Sequence, residues 1–557
     1  VHDKNLIGHG SAFARKDGCG QTVVTVQHAL DQGHTVVLLD GKNAFNSIFR
    51  EKALTHVWKS GTLYQDVTRW INMFFTTVTY CTLFGKDGKP IHRQIITSGS
   101  SQGCVSGGTF LQWALAPVLQ RFKNIISVVD DTHIIIKRSE LTMSPSTRLS
   151  RKSSHLGSIK EIITAFAEIG LDVLGTPQAP STKTKILTTA TEEELTDLIA
   201  LFPKAPTVVR TFADLHGSFV IIDRNHPVRD LNPCSKLLAT VKKKIEACLT
   251  IPTSTQVKFL VLRNCQWHQL YHCKTAPKGL LADRLMRTLD DLYTDAIVRL
   301  FPGLADLPNL HVHLKLHIED GGLGFFPYHE LHSKLSDNLF ALSQEMFYEV
   351  GLPADPEQAV DDRTISHLWR HIHSTFLQQN PDKKWSIPDE RSWLQTIPTN
   401  NLLAINDTTF ETAVLHRLNW IQPFEYFCPL TQKNLNQFPR NEVAHHLNTC
   451  LHCGASSFRL RHELVAHAIV KTARYHLVTS EVNPTDLPLP GKKKGGPDFM
   501  FWGSTVYAGD VCITANNPST VLQTKNANTS TSLKQQGLRA CHLPCPSRVQ
   551  LNRAHGN

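Results

Sequence analysis

Residues 35–48 read TVVLLDGKNAFNSI, and residues 124–136 read NIISVVDDTHIII. In the first stretch the apolar run Thr35 to Leu39 has the composition of a buried strand, with a helical pattern resuming from Ser47, so Asp40 is offered at a strand end. In the second, two β-rich stretches, Ile125 to Val129 and Thr132 to Ile136, are separated only by Asp130 and Asp131. A tight hairpin there would carry both carboxylates at its tip. Carboxylates from separate elements can hold two divalent ions about 3.5–4 Å apart, one activating a hydroxyl and one steadying a leaving pyrophosphate. Paired aspartates alone are common in solvated turns. Their order gives them weight: Asp40 comes first, then Gln102-Gly103 within SGSSQGCVSGG (98–108), then Asp130-Asp131.

Ile169-Gly170-Leu171 and Lys183-Thr184 follow, with Leu215-His216-Gly217 beyond them. On these motifs the chain resembles the reverse transcriptases of non-LTR retrotransposons, which run Asp-x-x-Asn-Ala-Phe, Gln-Gly, a paired-Asp box, Gly-Leu and Lys-Thr. The resemblance implies an α+β multidomain fold. Its parts would be a right-hand polymerase palm, an antiparallel sheet with helices, over residues 1–230 with partial fingers, and a helical thumb and connection over 231–377. It implies that Asp40 and Asp130 bind Mg²⁺ (or Mn²⁺), that Asp131 supports them, and that Lys183 is the cation near the departing pyrophosphate. Phe45 would lie under the sugar and select deoxynucleotides against the 2′-hydroxyl. Gln102 and Gly103 would flank the incoming deoxynucleoside triphosphate, glycine allowing the backbone to approach closely. The implied partners are an RNA template and a DNA target or primer, in the nucleus. Two positions depart from the pattern: Val128 stands where the family has an aromatic, and Ser101 where it commonly has proline. The chain opens with Val1 and reaches Asp40 almost at once. Gly8-His9-Gly10 and Gly18-Cys19-Gly20 match only the end of the fingers, so a fragment of a longer reading frame is expected.

A length of 557 residues suggests three or so folding units. The formal charge of +10, with 29 histidines, favours a polyanionic partner. Thirteen scattered cysteines fit reduced thiols plus one metal site better than disulfides, and so cytosol or nucleus. The apolar-rich stretch Asn72 to Phe84 is too short to span a bilayer, so no membrane role is expected. From Leu237 to about Pro277 apolar residues recur at three- and four-residue steps, a helical pattern. The lysines Lys242 to Lys244 within it are suited to phosphate contacts or to an ordinary solvated helix face. Asp320-Gly321-Gly322-Leu323-Gly324-Phe325 resembles the turn that follows the thumb in these elements. Ser139 to Ser158 and residues 378–401 look like connectors.

The C-terminal part carries Cys450-x2-Cys453-x8-His462-x4-His467, a spacing able to supply the four tetrahedral ligands of Zn²⁺, with His445, His446 and His452 as competitors. This marks residues 402–470 as a zinc-knuckle region. Asp498, after Lys492-Lys493-Lys494, and Asp510 then sit at two expected strand ends, where paired acids can hold Mg²⁺ and activate water. Coming after a zinc knuckle, residues 471–516 resemble part of the α/β restriction-like endonuclease of site-specific non-LTR elements, such as those inserted into spliced-leader genes. Gly496 and Cys512 replace basic residues of that pattern, leaving Lys493 or Lys494 to assist. Residues 517–557 lack periodicity and are expected to be a disordered or aberrant tail. The resulting expectation is target-primed reverse transcription: the nuclease nicks DNA and the polymerase extends the freed 3′ end along RNA. Two alternatives stand beside it: a decayed copy that binds nucleic acid without catalysis, and an intron- or telomere-type reverse transcriptase.

Overall fold

The computed structural model describes most of residues 4–372, except 14, 42–43, 62–63, 77–78, 101–106, 142–154, 177–178, 181–182, 225–233, 356 and 362. It further describes scattered residues between 374 and 446 and the strands 479–482, 499–502, 507–513 and 539–545. Helices predominate and the sheets are small, a mixed α+β architecture. Among the described residues no helix is long and apolar enough to cross a membrane. Two compact units are present: residues 1–239, 268–288 and 328–362 form the first, and 240–267, 289–327 and 363–557 the second. Residues 231–377, expected as one helical unit, are divided between them.

Thr35–Asp40 is the middle strand of the first unit's five-stranded sheet, in the order 125–128, 131–136, 35–40, 185–187, 207–209. It runs antiparallel to both neighbours. A strand sends alternate side chains to opposite faces, and here both faces are covered. Val37 and Leu39 pack with Ile134, Ile136 and Ile186 against Phe110, Leu111, Ile162 and Phe166 of the helices Gly107–Arg121 and His155–Glu168. Val36 packs with Ile126, Ile135 and Leu187 against Val23, Val26 and Ala29 of the helix Gly18–Asp31. Burial on both sides explains why the run is apolar throughout instead of alternating. Each such side chain contributes about 1.5–3 kcal/mol when fully buried.

The hairpin expected between Ile125 and Ile136 is present, shifted by one residue. Its strands are Ile125–Val128 and Asp131–Ile136, so Val129 and Asp130 form the tip and Asp131 is already paired, opposite Val128 on one side and Asp40 on the other. Val129 adopts a φ of 58°, a strained choice for a β-branched residue. The tip is held from beneath by Gln112, fully buried, whose Nε2 donates to the Val129 carbonyl at 3.2 Å while its Oε1 accepts from Ser11 Oγ at 2.8 Å.

Two further hairpins belong to this unit. Phe212–Leu215 and Ser218–Ile221 are joined by His216 and Gly217 with φ of 48° and 78°, the double positive φ of a type I′ turn. Thr79–Phe84 and Pro90–Ile96 form a separate two-stranded ribbon.

The helical pattern from Leu237 onward folds as the helices Ser235–Thr250, Thr255–Cys265 and Leu270–Thr275. Val241, Ile245 and Cys248 are buried on the first of these, and Lys242, Lys243 and Lys244 are exposed. In the second unit Phe259 packs edge-on against Phe301, Phe325 and Phe410. The Gly-Gly-Leu-Gly stretch turns at Gly321 and Gly324, with φ of 87° and 74°, while a Cβ at Gly322 would lie 2.1 Å from the Leu316 carbonyl. Lys315 and Asp290 form a buried pair at 2.7 Å. A four-stranded sheet, order 479–482, 499–502, 507–513, 539–545, ends the described chain. Its last strand, Arg539–Cys545, lies in the tail expected to lack regular structure, yet it pairs parallel with Tyr507–Ile513. An edge strand offers a row of backbone N–H and C=O groups, and pairing with it requires no hydrophobic alternation in the incoming segment.

Candidate active site

Asp40 and Asp131 are direct cross-strand partners, so their side chains share a face of the sheet. The period of two puts Leu38, His133 and Lys185 on that same face. The Phe212–Ile221 hairpin folds over it and adds Asp214 and His216, closing a cleft of about 340 Å³. Asp130 stands at the adjacent hairpin tip, where Gly41 N approaches its carbonyl at 3.4 Å. Asp40 and Asp131 are thus placed side by side by strand pairing, with Asp130 at the adjoining tip.

Their charges interact. Asp131 is pushed up from 3.8 to about 6, first by burial and then by repulsion from Asp130 and Asp40, with Lys183 acting in the opposite direction. Lys183 reaches Asp40, its Nζ 2.9 Å from Oδ2, and this bond raises the lysine above its ordinary value. His216 Nδ1 lies 3.6 Å from Asp131 Oδ2, and the Nε2 atoms of His216 and His133 are 2.7 Å apart. Burial lowers His133 to about 3 and His216 to about 4, so both rings are neutral at pH 7. One of the two facing Nε2 atoms donates to the other, and His216 Nδ1 faces Asp131 from just beyond hydrogen-bond length. Asp131 therefore has an imidazole behind it as well as two acids beside it.

Hard divalent cations take oxygen ligands, which these carboxylates supply, and the crowded negative charge that lifts Asp131 is what such a cation offsets. Among the described residues no three His, Cys, Asp or Glu side chains are arranged to enclose an ion. The donor set fits Mg²⁺ by its chemistry, provided Asp40 turns away from Lys183.

The sequence-derived residues fall into three groups. Asp40, Asp131 and Lys183 line the cleft, and Asp130 adjoins it. Phe45, in the short helix Ala44–Ser47, is partly buried against the core and is not part of the cleft lining. Gln102, Gly103, Cys450, Cys453, His462, His467, Asp498 and nearly all of 378–401 lie outside the described residues. Asp510 is described in its backbone only, within Tyr507–Ile513 and opposite His542. His133, Asp214 and Lys185 were not expected, and His216 was expected only within the Leu215-His216-Gly217 turn, not beside Asp131. Their signals were available, since His133 is two residues from Asp131 and hence on its face, and His216 sits in a His-Gly turn between β-rich runs.

No protein-family model matches the chain, and no curated protein matches it in sequence. Among solved structures the chain is similar to telomerase from Candida tropicalis, determined in complex with a fragment of telomeric RNA, with a TM-score of 0.29 and 10% identity. That alignment covers 66% of this chain and 53% of the telomerase chain, so this chain spans about half the telomerase length, and so weak a likeness assigns no family.

Proposed function

We propose that the cleft is the nucleotidyl-transfer site of an RNA-directed DNA polymerase of the non-LTR retrotransposon kind. The observation that carries the reading is the Asp40–Asp131 register with Asp130 at the adjoining tip: two strand-paired acids and a third beside them, with the Lys183 ammonium on Asp40. Mg²⁺ held by Asp40 and Asp130 would lower the pKa of the primer hydroxyl and neutralise the triphosphate. In this reading Asp131 orients its neighbours and is itself oriented by His216. Lys183, whose exposed ammonium pairs with Asp40, would leave that carboxylate to neutralise the departing pyrophosphate. The net charge of +10 supports an RNA template and a DNA primer as partners. The Zn²⁺ site at Cys450, Cys453, His462 and His467, DNA nicking by Asp498 and Asp510, and work in the nucleus belong to the same proposal.

The test is Mg²⁺-dependent extension of a DNA primer on an RNA template. Extension should be lost in Asp40→Asn and in Asp130→Asn, and its persistence in either variant sinks the assignment. Absence of extension in the unmodified chain, with nucleic-acid binding intact, favours the non-catalytic reading, to which the Asp40–Lys183 pair also lends itself.

A further inference from the structure

The ribbon Thr79–Phe84 and Pro90–Ile96 is joined by no third strand among the described residues. Its register sets Tyr80 opposite Ile95 and Thr82 opposite Arg93, so Tyr80, Arg93 and Ile95 share a face; the period of two along Thr79–Phe84 adds Phe84, which a register shift after Leu83 pairs with Pro90. That face is open: Tyr80 is 44% exposed, Phe84 61% and Ile95 53%. A two-stranded ribbon with an uncovered apolar face is marginal by itself, and such a face marks a binding surface.

Charge and ring geometry indicate the occupant. Residues 79–96 carry Lys86, Lys89 and Arg93 against the single acid Asp87. The Arg93 guanidinium lies 3.7 Å from the centre of the Tyr80 ring. Exposed aromatic planes on a β-surface, interleaved with cations, suit unstacked bases and their phosphates. A second copy of the same ribbon would instead bring like charges together.

The base of the ribbon is tied to the turn that follows Asp40. Ser100 N donates to the Phe45 carbonyl at 2.6 Å, Gly99 N to that of Ile48 at 2.9 Å, and Arg50 Nε to that of Gly99 at 2.7 Å. The chain leaving the ribbon therefore returns to the short helix Ala44–Ser47 that follows Asp40. We infer that the ribbon is a docking surface for single-stranded RNA, with bases stacking on Phe84 and on the Tyr80–Arg93 pair and phosphates meeting Lys86 and Lys89. In the polymerase reading, on which this identification of the strand rests, it is the template outside the cleft.

The experiment measures binding of a fluorescent single-stranded oligouridylate to the full chain, without nucleotides or divalent ions. Tyr80→Ala/Phe84→Ala is expected to weaken binding roughly tenfold or more. Tyr80→Phe keeps the plane and should keep the affinity. Lys86→Gln should reduce the salt slope by about one ion. An RNA duplex, whose bases are already stacked, should bind the double variant and the unmodified chain alike. Unchanged oligouridylate affinity in the double variant overturns the proposal. So does a shift in sedimentation without a change in RNA affinity, which would assign the face to a second copy. Asp40→Asn should bind the RNA normally, so loss of extension there with no effect of the double variant sinks the ribbon alone. Binding loss in the double variant with extension intact in Asp40→Asn sinks only the active-site assignment.

Discussion

Replacing Asp131 with asparagine should make the protein more stable at neutral pH while abolishing polymerisation. The carboxyl titrates near 6 in place of 3.8, which corresponds to about 3 kcal/mol lost from its preference for the charged form. Its side chain is 42% exposed, so water screens the repulsion, and roughly half, about 1–1.5 kcal/mol, is the expected gain. The sign follows from the raised folded value. Above pH 6 the folded state carries a charge it disfavours, and the full penalty applies. It shrinks as the pH falls from 6 to 3.8, and below 3.8 the group is protonated both folded and unfolded. Urea unfolding of the unmodified chain and of Asp131→Asn, in chelator and across that range, should show midpoints that separate at neutral pH and converge in acid. Adding Mg²⁺ should stabilise the unmodified chain more than the variant. An Asp131→Asn protein that is equally or less stable at pH 7, or whose advantage persists in acid, refutes the account of three mutually repelling carboxylates.

Gln112→Met keeps the volume but strips the Val129 carbonyl and the Ser11 hydroxyl of their buried partner. Urea unfolding should register a loss of about 1–3 kcal/mol, with a fall in primer extension as the Asp130 tip loosens. Gly170→Ala places a Cβ 2.6 Å from the Ser47 carbonyl at a φ of 87° and should cost more than about 1 kcal/mol in the same assay. Lys183→Met removes the cation that lowers Asp131, so carboxyl titration followed by NMR should move further up, and pyrophosphate release should slow. In the second unit, Asp290→Leu withdraws the acid 2.7 Å from the buried Lys315 ammonium and should cost about 3–5 kcal/mol. Adding Lys315→Met should recover most of that loss.

The central strand and the paired-acid hairpin are legible in sequence because a run buried on both faces is written as consecutive apolar residues, and because two acids between β-rich runs leave little choice of turn. The one-residue shift at the tip is not legible, since it requires Val129 at a positive φ that a β-branched residue avoids and that Gln112 imposes from another element. His216 escapes for a different reason. It is 83 residues from His133, and only the fold of the Phe212–Ile221 hairpin over the sheet brings the two rings together. The strand Arg539–Cys545 is hidden because its partner supplies backbone hydrogen bonds, which leave no trace in side-chain pattern. The open ribbon was legible only in part, as an apolar-rich stretch whose exposure no periodicity announces.

The sheet order separates two kinds of tolerance to insertion and deletion. Asp40, Asp131 and Lys183 reach the cleft on or beside three adjacent strands, so their mutual distance is kept by hydrogen-bonded register and not by the length of chain between them. Residues gained or lost between the strands, outside the packed helix His155–Glu168, leave that register unchanged. One residue gained within Thr35–Asp40 reverses its inward and outward sets, turning Asp40 toward Phe110 and Phe166 and Leu39 toward the cleft. A change of length within a strand is thus costlier to this site than one in a connection.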